Sequence, residues 1–266
     1  RVDAVLDGHL QRVDDRIRVS VRLLRVADGR QLWADEFDER LTGIFAIQEA
    51  ISRRVVAALA LRLDERAQHR IARHSTSSAE AYERYLRGRF HISLAQPRQA
   101  IEMFEGAIAL DPDYASAHAG LADVLSRMPI ATGAGSRPPM ERARTLAKRA
   151  LALDPQLGSA HAVLGWIGFY YDWDWPASEA SYQRALALDP GDFSARLGYA
   201  HLLSNTGRTS EALDQVDLAL AADPLSPLAG TLKSQFLFHG GRVAEAREQV
   251  QATLANSPGF WIAQVL

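Results

Sequence analysis

The chain has 266 residues, 30 basic against 32 acidic side chains, no cysteine, and 47% hydrophobic content. A net charge of -2 argues against direct nucleic-acid contact or a general anionic-membrane surface, either of which needs a basic excess. Absent cysteine excludes disulfides, thiolate zinc sites and cysteine nucleophiles and leaves the compartment open, cytoplasm or periplasm. No apolar run approaches the ~20 residues of a membrane span, and Arg1 to Leu10 lack the apolar core of a signal peptide. An opening on Arg1 reads as an excised piece of a longer protein.

Residues 1–45 read as a small α/β segment. Ile17, Val19, Val21 and Leu23 alternate with Arg16, Arg18, Ser20 and Arg22, the period-two pattern of a strand with one buried and one solvated face. Asp14-Asp15 and Asp28-Gly29 are turn dipeptides on either side. Three antiparallel strands are expected at about 3–13, 16–27 and 30–38. Ile44, Ile47, Ile51, Val55, Ala58 and Leu61 then mark a long amphipathic helix reaching about Ile71, so that 46–78 forms a connecting helix and linker. Three strands with one helix leave an open sheet edge, which invites either upstream residues or a second copy of the chain.

From residue 79 the sequence repeats itself. Ala-Ile-Ala-Leu-Asp-Pro at 107–112 recurs as Ala-Leu-Ala-Leu-Asp-Pro at 150–155 and 185–190 and as Ala-Leu-Ala-Ala-Asp-Pro at 219–224, with a weaker ending at Pro258. The prolines Pro112, Pro155, Pro190, Pro224 and Pro258 step by 43, 35, 34 and 34. The unit is therefore 34 residues, with nine added in the second copy and one in the third. Each unit carries two helical runs. In the fourth, Leu197, Leu202 and Leu203 lie on a first run that stops at Asn205-Thr206-Gly207, where Gly207 suits a helix C′ residue. A second starts near Ser210 and carries Ala212, Leu213, Val216, Ala219 and Leu220, until Asp223-Pro224 ends it. The nine added residues are expected to form a loop around Met128 to Pro139.

A 34-residue helix–turn–helix unit resembles the tetratricopeptide repeat. With the terminal proline as position 32, that family expects small residues at position 8 (Gly88, Ala122, Gly165, Ala200, Ser234), position 20 (Ala100, Ala143, Ser178, Ala212, Ala246) and position 27 (Ala107, Ala150, Ala185, Ala219, Thr253). The chain departs at position 4, where Arg84, His118, His161, Arg196 and Gly230 stand in place of the family's tryptophan. The resemblance implies a mainly α fold, an α-solenoid of about five repeats at 79–112, 113–155, 156–190, 191–224 and 225–258. A further helix starts in 259–266 and belongs to an array that continues or is capped beyond Leu266.

Ala4 to Gly8, Arg16 to Val19, Leu23 to Gly29, Leu32 to Asp38 and Ile44 to Gln48 resemble the end of the TolB amino-terminal-like α/β domain. That domain followed by tetratricopeptide repeats is similar to C-terminal regions of bacterial class III adenylate or guanylate cyclases and of CadC-type winged-helix regulators. Neither a cyclase catalytic segment nor a winged helix lies within these residues.

The residues offer little chemistry. None of the eight histidines stands in a His-x-x-x-His or His-Glu-x-x-His arrangement, so no metal is expected; His118 and His161 occupy one repeat position, as packing residues do. Gly133-Ala-Gly135 follows a helix, with no lysine after it, and no nucleophile–base set is apparent. No cofactor is implied and the chain is not expected to be an enzyme.

A binding role fits better. By the family's pattern, positions 2, 5, 9, 12 and 13 of the first helices line a concave face. Here they include Tyr82, Tyr85, Arg89, Asp123, Arg127, Trp166, Phe169, Tyr170, His201, Asn205, Gln235 and His239, a mixed aromatic and polar lining suited to a peptide or protein partner. Arg89 and Arg127 suit an acidic group. A second candidate is the Trp166–Trp175 stretch, where Asp172, Trp173, Asp174 and Trp175 form either an aromatic docking loop or a staple between helices. The expected function is an interaction and regulatory module of a larger bacterial signalling or transcription-regulatory protein. The alternatives are the regulatory C-terminal part of a nucleotide cyclase and a free-standing scaffold.

Overall fold

Alternating apolar and polar residues form a three-stranded antiparallel sheet in the order β1 (Ala4–Val13), β2 (Arg16–Arg25) and β3 (Gln31–Arg40). The computed structural model describes residues 3–14, 16–40, 76–132 and 137–264, with positions 47, 48, 50, 51, 54, 55 and 57. Asp14 takes φ 53°, the left-handed conformation that a tight hairpin turn asks of its first residue. Ile17, Val21 and Leu23 are buried on one face. The other carries ion pairs: Arg22 Nε donates to Asp7 at 2.6 Å, and Arg16 and Arg18 both donate to Asp38. Hydrogen bonds from Arg18 and then Arg16 hold the Asp38 carboxyl below the usual carboxylate range. The described positions between 47 and 57 are helical, with Ile47 buried and Arg54 3.6 Å from Asp35. The rest of the helix expected to Ile71 lies outside the described residues.

Two compact units result: Arg1–Arg84 with Ala109–Pro112, and Tyr85–Ile108 with Asp113–Leu266. Helical periodicity in the repeats gives α1 (Ala79–Ser93), α2 (Pro97–Leu110), α3 (Ala115–Thr132), α4 (Arg137–Leu153), α5 (Gly158–Ile167), α6 (Trp175–Leu188), α7 (Phe193–Asn205), α8 (Thr209–Ala222), α9 (Pro227–His239), α10 (Val243–Asn256) and the short α11 (Trp261–Gln264). The second unit is an α-solenoid. Helices pair as α3 with α4, α5 with α6, α7 with α8 and α9 with α10, and the first helices α3, α5, α7 and α9 lie successively against one another.

The pairing rests on side chains too small to hold helices apart. Ala100, Ala143, Ser178 and Ala212 at position 20 are fully buried, as are Ala107, Ala150 and Ala185 at position 27. Position 8 is buried in all five repeats. Larger apolar groups fill what remains: Phe104, Tyr182, Phe236, Leu202, Leu203 and Val216 are each at most 1% exposed.

Helix ends follow the sequence with two corrections. Gly207 has φ 81°, and Gly241, one period later, has φ 74°, as a left-handed C′ residue requires. α8 starts at Thr209, next to the expected Ser210, but the residue at its cap is Arg208, whose side chain makes no cap bond. Arg208 instead forks onto Glu211, at 2.7 Å for both bonds, and Arg242 repeats this with Glu245 one period on. The acid in the first turn meets the exposed N–H groups there, so an ion pair replaces a hydroxyl cap. Nor is Met128 to Pro139 a loop. α3 continues to Thr132 and α4 starts at Arg137, so most of the added residues lengthen both helices; 133–136 lie outside the described residues. Pro138 and Pro139 sit in the first turn of α4, where a missing N–H breaks no helical bond.

Gly88 and Gly120 clamp the Phe104 ring from two helices: a Cβ built on either comes within 2.7 Å of it. Gly120→Ala is therefore expected to destabilise the array by about 1–3 kcal/mol. Phe104→Leu in the same chain should recover part of that loss in a denaturant-melting double-mutant cycle; simple additivity would contradict this packing.

Candidate functional site

The first helices bring most of the expected groove residues together. On α3, Asp123 accepts from Arg127 Nε at 2.8 Å, one helical turn away. The Arg127 guanidinium lies over the Trp166 ring of α5, 4.3 Å from its centroid, and the Trp166 Nε1–H donates to the Ser126 carbonyl at 3.3 Å. Burial opposes the Arg127 charge, but Asp123 outweighs it and the pKa is raised; the group stays cationic. Among the described residues its Nη atoms have no hydrogen-bond partner.

An aromatic row continues across the next two repeats. Trp166 and Tyr170 have ring centroids 4.1 Å apart, Phe169 meets Tyr170 edge-on at 4.5 Å and His201 at 5.6 Å, and His201 meets Phe236 at 6.0 Å. Tyr170 Oη and His201 Nδ1 share a short hydrogen bond, and Ser204 Oγ lies 2.9 Å from His239 Nδ1. Burial pushes the Tyr170 hydroxyl above its usual range. It also pushes the His201 imidazole down to about 4, with His239 adding to the effect, so His201 is neutral at physiological pH. The Tyr170–His201 and Ser204–His239 pairs each join two neighbouring repeats.

The remaining expected residues divide. Arg89 Nη1 donates to Tyr85 Oη at 3.2 Å, while the Tyr85 ring packs on Phe104 and Tyr114. Tyr85 chiefly raises the Arg89 pKa, against burial that lowers it, and Asp123 and Asp192 add to the rise. Asn205 is turned back on its own helix, donating to the His201 carbonyl at 2.8 Å, and Gln235 is half-buried on α9. Tyr82 belongs to the first compact unit, where its hydroxyl donates to Gln48 at 2.8 Å. Two residues escaped the sequence reading: Leu228 at position 2 and Phe238 at position 12, 41% and 62% exposed. Their repeat positions alone would have found them. His118 is buried, as packing residues are, and His161 rests 3.4 Å from the Pro155 carbonyl, its pKa lowered by burial. Among the described residues no three metal-ligating side chains gather, and no helix is long and apolar enough to cross a membrane.

The Asp172–Trp175 segment follows a π-turn, Gly168–Asp172, which the sequence reading did not foresee. Its signal was the 35-residue step, because a π-turn absorbs one added residue within a helix. Asp172 accepts both Arg144 terminal nitrogens at 2.8 and 2.6 Å, and Asp174 caps α6 by accepting from the Ala177 N–H at 3.1 Å. Both carboxylates thus have structural work. The Trp173 N–H closes the π-turn on the Gly168 carbonyl, while its side chain is 72% exposed, the ring 6.4 Å from that of Trp175. Trp173 also takes φ 60° at the repeat position that Gly207 and Gly241 fill elsewhere.

Known proteins agree with the architecture. Tetratricopeptide repeat family models match residues 85–127 and 174–236. A thermophilic tetratricopeptide-repeat protein of Thermus thermophilus superimposes with a TM-score of 0.58 at 17% identity, covering 70% of this chain and 95% of that one. PilW, a type IV pilus biogenesis factor, does so with a TM-score of 0.52 at 19% identity, covering 66% and 77%. A protein provisionally named adenylate cyclase 3, from Rhizobium meliloti (strain 1021), is 31% identical over 120 residues, which are 44% of this chain and 20% of that protein. The match thus spans a fifth of that relative. The helical unit is a tetratricopeptide-repeat solenoid, a fold that serves as a protein–protein interaction scaffold.

His201 makes stability pH-dependent. Its folded pKa of about 4 lies below the unfolded value near 6.5, so the unfolded chain takes up the proton first as pH falls. The contribution is complete above about pH 6.5 and is lost between there and pH 4. Urea unfolding is expected to show a loss of up to about 2 kcal/mol from pH 7.5 to pH 5, and His201→Gln should flatten that part of the profile. Separately, Trp173→Gly should raise the melting free energy by roughly 1 kcal/mol, because a left-handed residue with a Cβ is strained; a lowered melting temperature would show the indole to be holding the turn.

Proposed function

We propose that the concave face binds a protein partner through an extended segment carrying acidic and aromatic side chains. Arg127 carries this reading. Its charge stacks on Trp166 at 4.3 Å and its Nε is satisfied by Asp123 at 2.8 Å. That leaves the terminal nitrogens for a carboxylate, which guanidinium nitrogens bind well in a partly desolvated setting. Trp166, Tyr170 and the exposed Phe238 set aromatic groups along the same set of helices, and aromatic anchors dominate many interfaces. Arg89 supplies a second cation one repeat earlier. The exposed Trp173 is a further contact point: its indole is 72% exposed on a left-handed backbone, and backbone strain tends to persist where it serves binding.

The wider setting belongs to the same proposal. The match to the Rhizobium protein supports placing the chain in a larger signalling protein of the cyclase kind, as a part that modulates without catalytic residues of its own. The three-stranded sheet with its following helix is compatible with the TolB-like segment that accompanies such arrays, and a winged-helix regulator is the alternative parent.

Display of a random peptide library against the immobilised chain is expected to select peptides containing Asp or Glu beside an aromatic residue. For a selected peptide followed by fluorescence anisotropy, Arg127→Ala or Trp166→Ala should each weaken binding at least about tenfold, equal to about 1.4 kcal/mol, with the far-ultraviolet circular dichroism unchanged. Selection of basic peptides, or affinity indifferent to both substitutions, would overturn the proposal.

A further inference from the structure

The two edges of the N-terminal sheet are built differently. β3 carries Asp35, Glu36, Asp38 and Arg40, and its ladder with β2 is broken by an irregularity at Leu23/Leu24. Charges and bulges of this kind blunt an edge against further pairing. β1 has no bulge, and its two charged side chains, Asp7 and Arg12, are each engaged within the chain, with Arg22 and Glu83. It pairs with β2 without interruption from Ala4 to Val13, contains neither proline nor lysine, and leaves Val5, Leu6, Leu10 and Val13 between 47% and 68% exposed.

The backbone of β1 fixes which groups are on offer. The Val26 N–H donates to the Asp3 carbonyl, so Asp3 faces β2, and by the alternation of an antiparallel ladder the odd-numbered residues of β1 do the same. The even ones, Ala4, Leu6, Gly8, Leu10 and Arg12, turn their N–H and carbonyl groups to the edge that no described strand pairs. Their side chains share the face that buries Ile17, Val21 and Leu23.

We propose that β1 pairs antiparallel with β1 of a second copy about a two-fold axis at Gly8, joining two three-stranded sheets into one of six strands. This register sets Gly8 against Gly8′, Leu6 against Leu10′ and Leu10 against Leu6′, so outward-facing backbone groups meet in hydrogen-bonded pairs. The exposed leucines then cover one another on the apolar side. On the opposite face Asp7, already bonded to Arg22 at 2.6 Å, meets His9′, and His9 meets Asp7′. Sliding by two residues in one direction opposes Asp7 to Asp7′; in the other it opposes His9 to His9′ and sets Leu6 against Arg12′. One register satisfies both faces, and a self-complementary patch of this kind is what a two-fold dimer requires.

Absent cysteine makes the register testable on the whole chain. A Cβ at Gly8 meets only the Ser20 carbonyl, at 3.5 Å, so Gly8→Cys is tolerated, and opposed Cα atoms in a hydrogen-bonded pair, about 5.5 Å apart, lie within disulfide reach. Under mild oxidation Gly8→Cys should give a covalent dimer. Leu10→Cys, whose opposite is Leu6′, should cross-link far less. Sedimentation of the unmodified chain should show its mass rise with concentration towards twice 29.3 kDa. Gly8→Pro, which removes an N–H that the chain's own ladder does not use, should abolish that rise while helicity and melting temperature hold. A constant monomer mass in the unmodified chain overturns the proposal. So does a Gly8→Pro chain that still dimerises, or equal cross-linking by the two cysteine variants; an edge serving a different protein would give the monomer mass.

Discussion

Everything in the helical unit depends on how closely two helices approach within a repeat. Positions 8 and 20 are buried in every repeat, and a Cβ built at position 8 runs into the second helix's Phe104 ring at Gly88 and Tyr182 ring at Gly165. Where a hydroxyl stands there it bonds across the seam: Ser178 at position 20 donates to the Gly165 carbonyl at 2.7 Å, and Ser234 at position 8 donates to the Ala246 carbonyl at 2.9 Å. The polar atom is thereby buried with a partner, which makes serine compatible with a dry contact. The same constraint explains a departure in the fifth repeat. Thr253 stands at position 27 where the other copies have alanine, and Gly230 stands at position 4, where a Cβ would lie 2.4 Å from the Thr253 hydroxyl. A larger residue on one helix is answered by the loss of a side chain on the other.

With that seam held, one added residue becomes useful. The third repeat absorbs it at the end of its first helix, as the Gly168–Asp172 π-turn, and not within the helix pair. Trp166 and Tyr170 keep the one-turn spacing that stacks their rings, while Asp172 is carried to Arg144 in the preceding repeat. The Arg144–Asp172 bond is partly exposed and contributes little by itself, but it fixes the exit of the helix from which the aromatic row is presented. The residue after the π-turn is Trp173, in a left-handed conformation that two other repeats give to glycine.

Much of this could be read from the residues alone, for reasons that differ by element. The proline ladder and the small positions reported the solenoid because packing imposes them in every copy. The alternation of β2 reported the sheet because one face is buried and the other solvated. The π-turn was hidden because a step of 35 says that a residue was added without saying where the backbone takes it up. The ends of α3 and α4 were misread because proline and glycine in Met128 to Pro139 suggest a loop; Pro138 and Pro139 fall in a first turn, where proline is no obstacle, and α3 runs on past Pro129 to Thr132. Arg208 and Arg242 were missed as helix-start residues because an arginine–glutamate fork leaves no local signature like that of serine or aspartate. For the groove, repeat position gave the set of residues, but position says nothing of partners: Asn205 turns to its own helix and Tyr82 bonds in the other unit.

Five repeats in one chain also form their own comparison. Positions 20 and 27 hold Ala, Ser or Thr in every copy, and position 8 holds Gly, Ala or Ser. Position 9 differs in each: Arg89, Asp123, Trp166, His201 and Gln235. Position 13 gives Arg127, Tyr170, Asn205 and His239 in the last four. If packing decided these positions they would converge as the seam does, because the helices around them are alike. They diverge, and several carry groups that a helix pair does not need, such as a guanidinium over an indole and a half-buried neutral imidazole. The same solenoid therefore holds two kinds of constraint. The seam is set by the space between helices and admits one size of residue; the inner row is free of that limit and differs from repeat to repeat, as a surface must if it is to read the successive side chains of an extended partner.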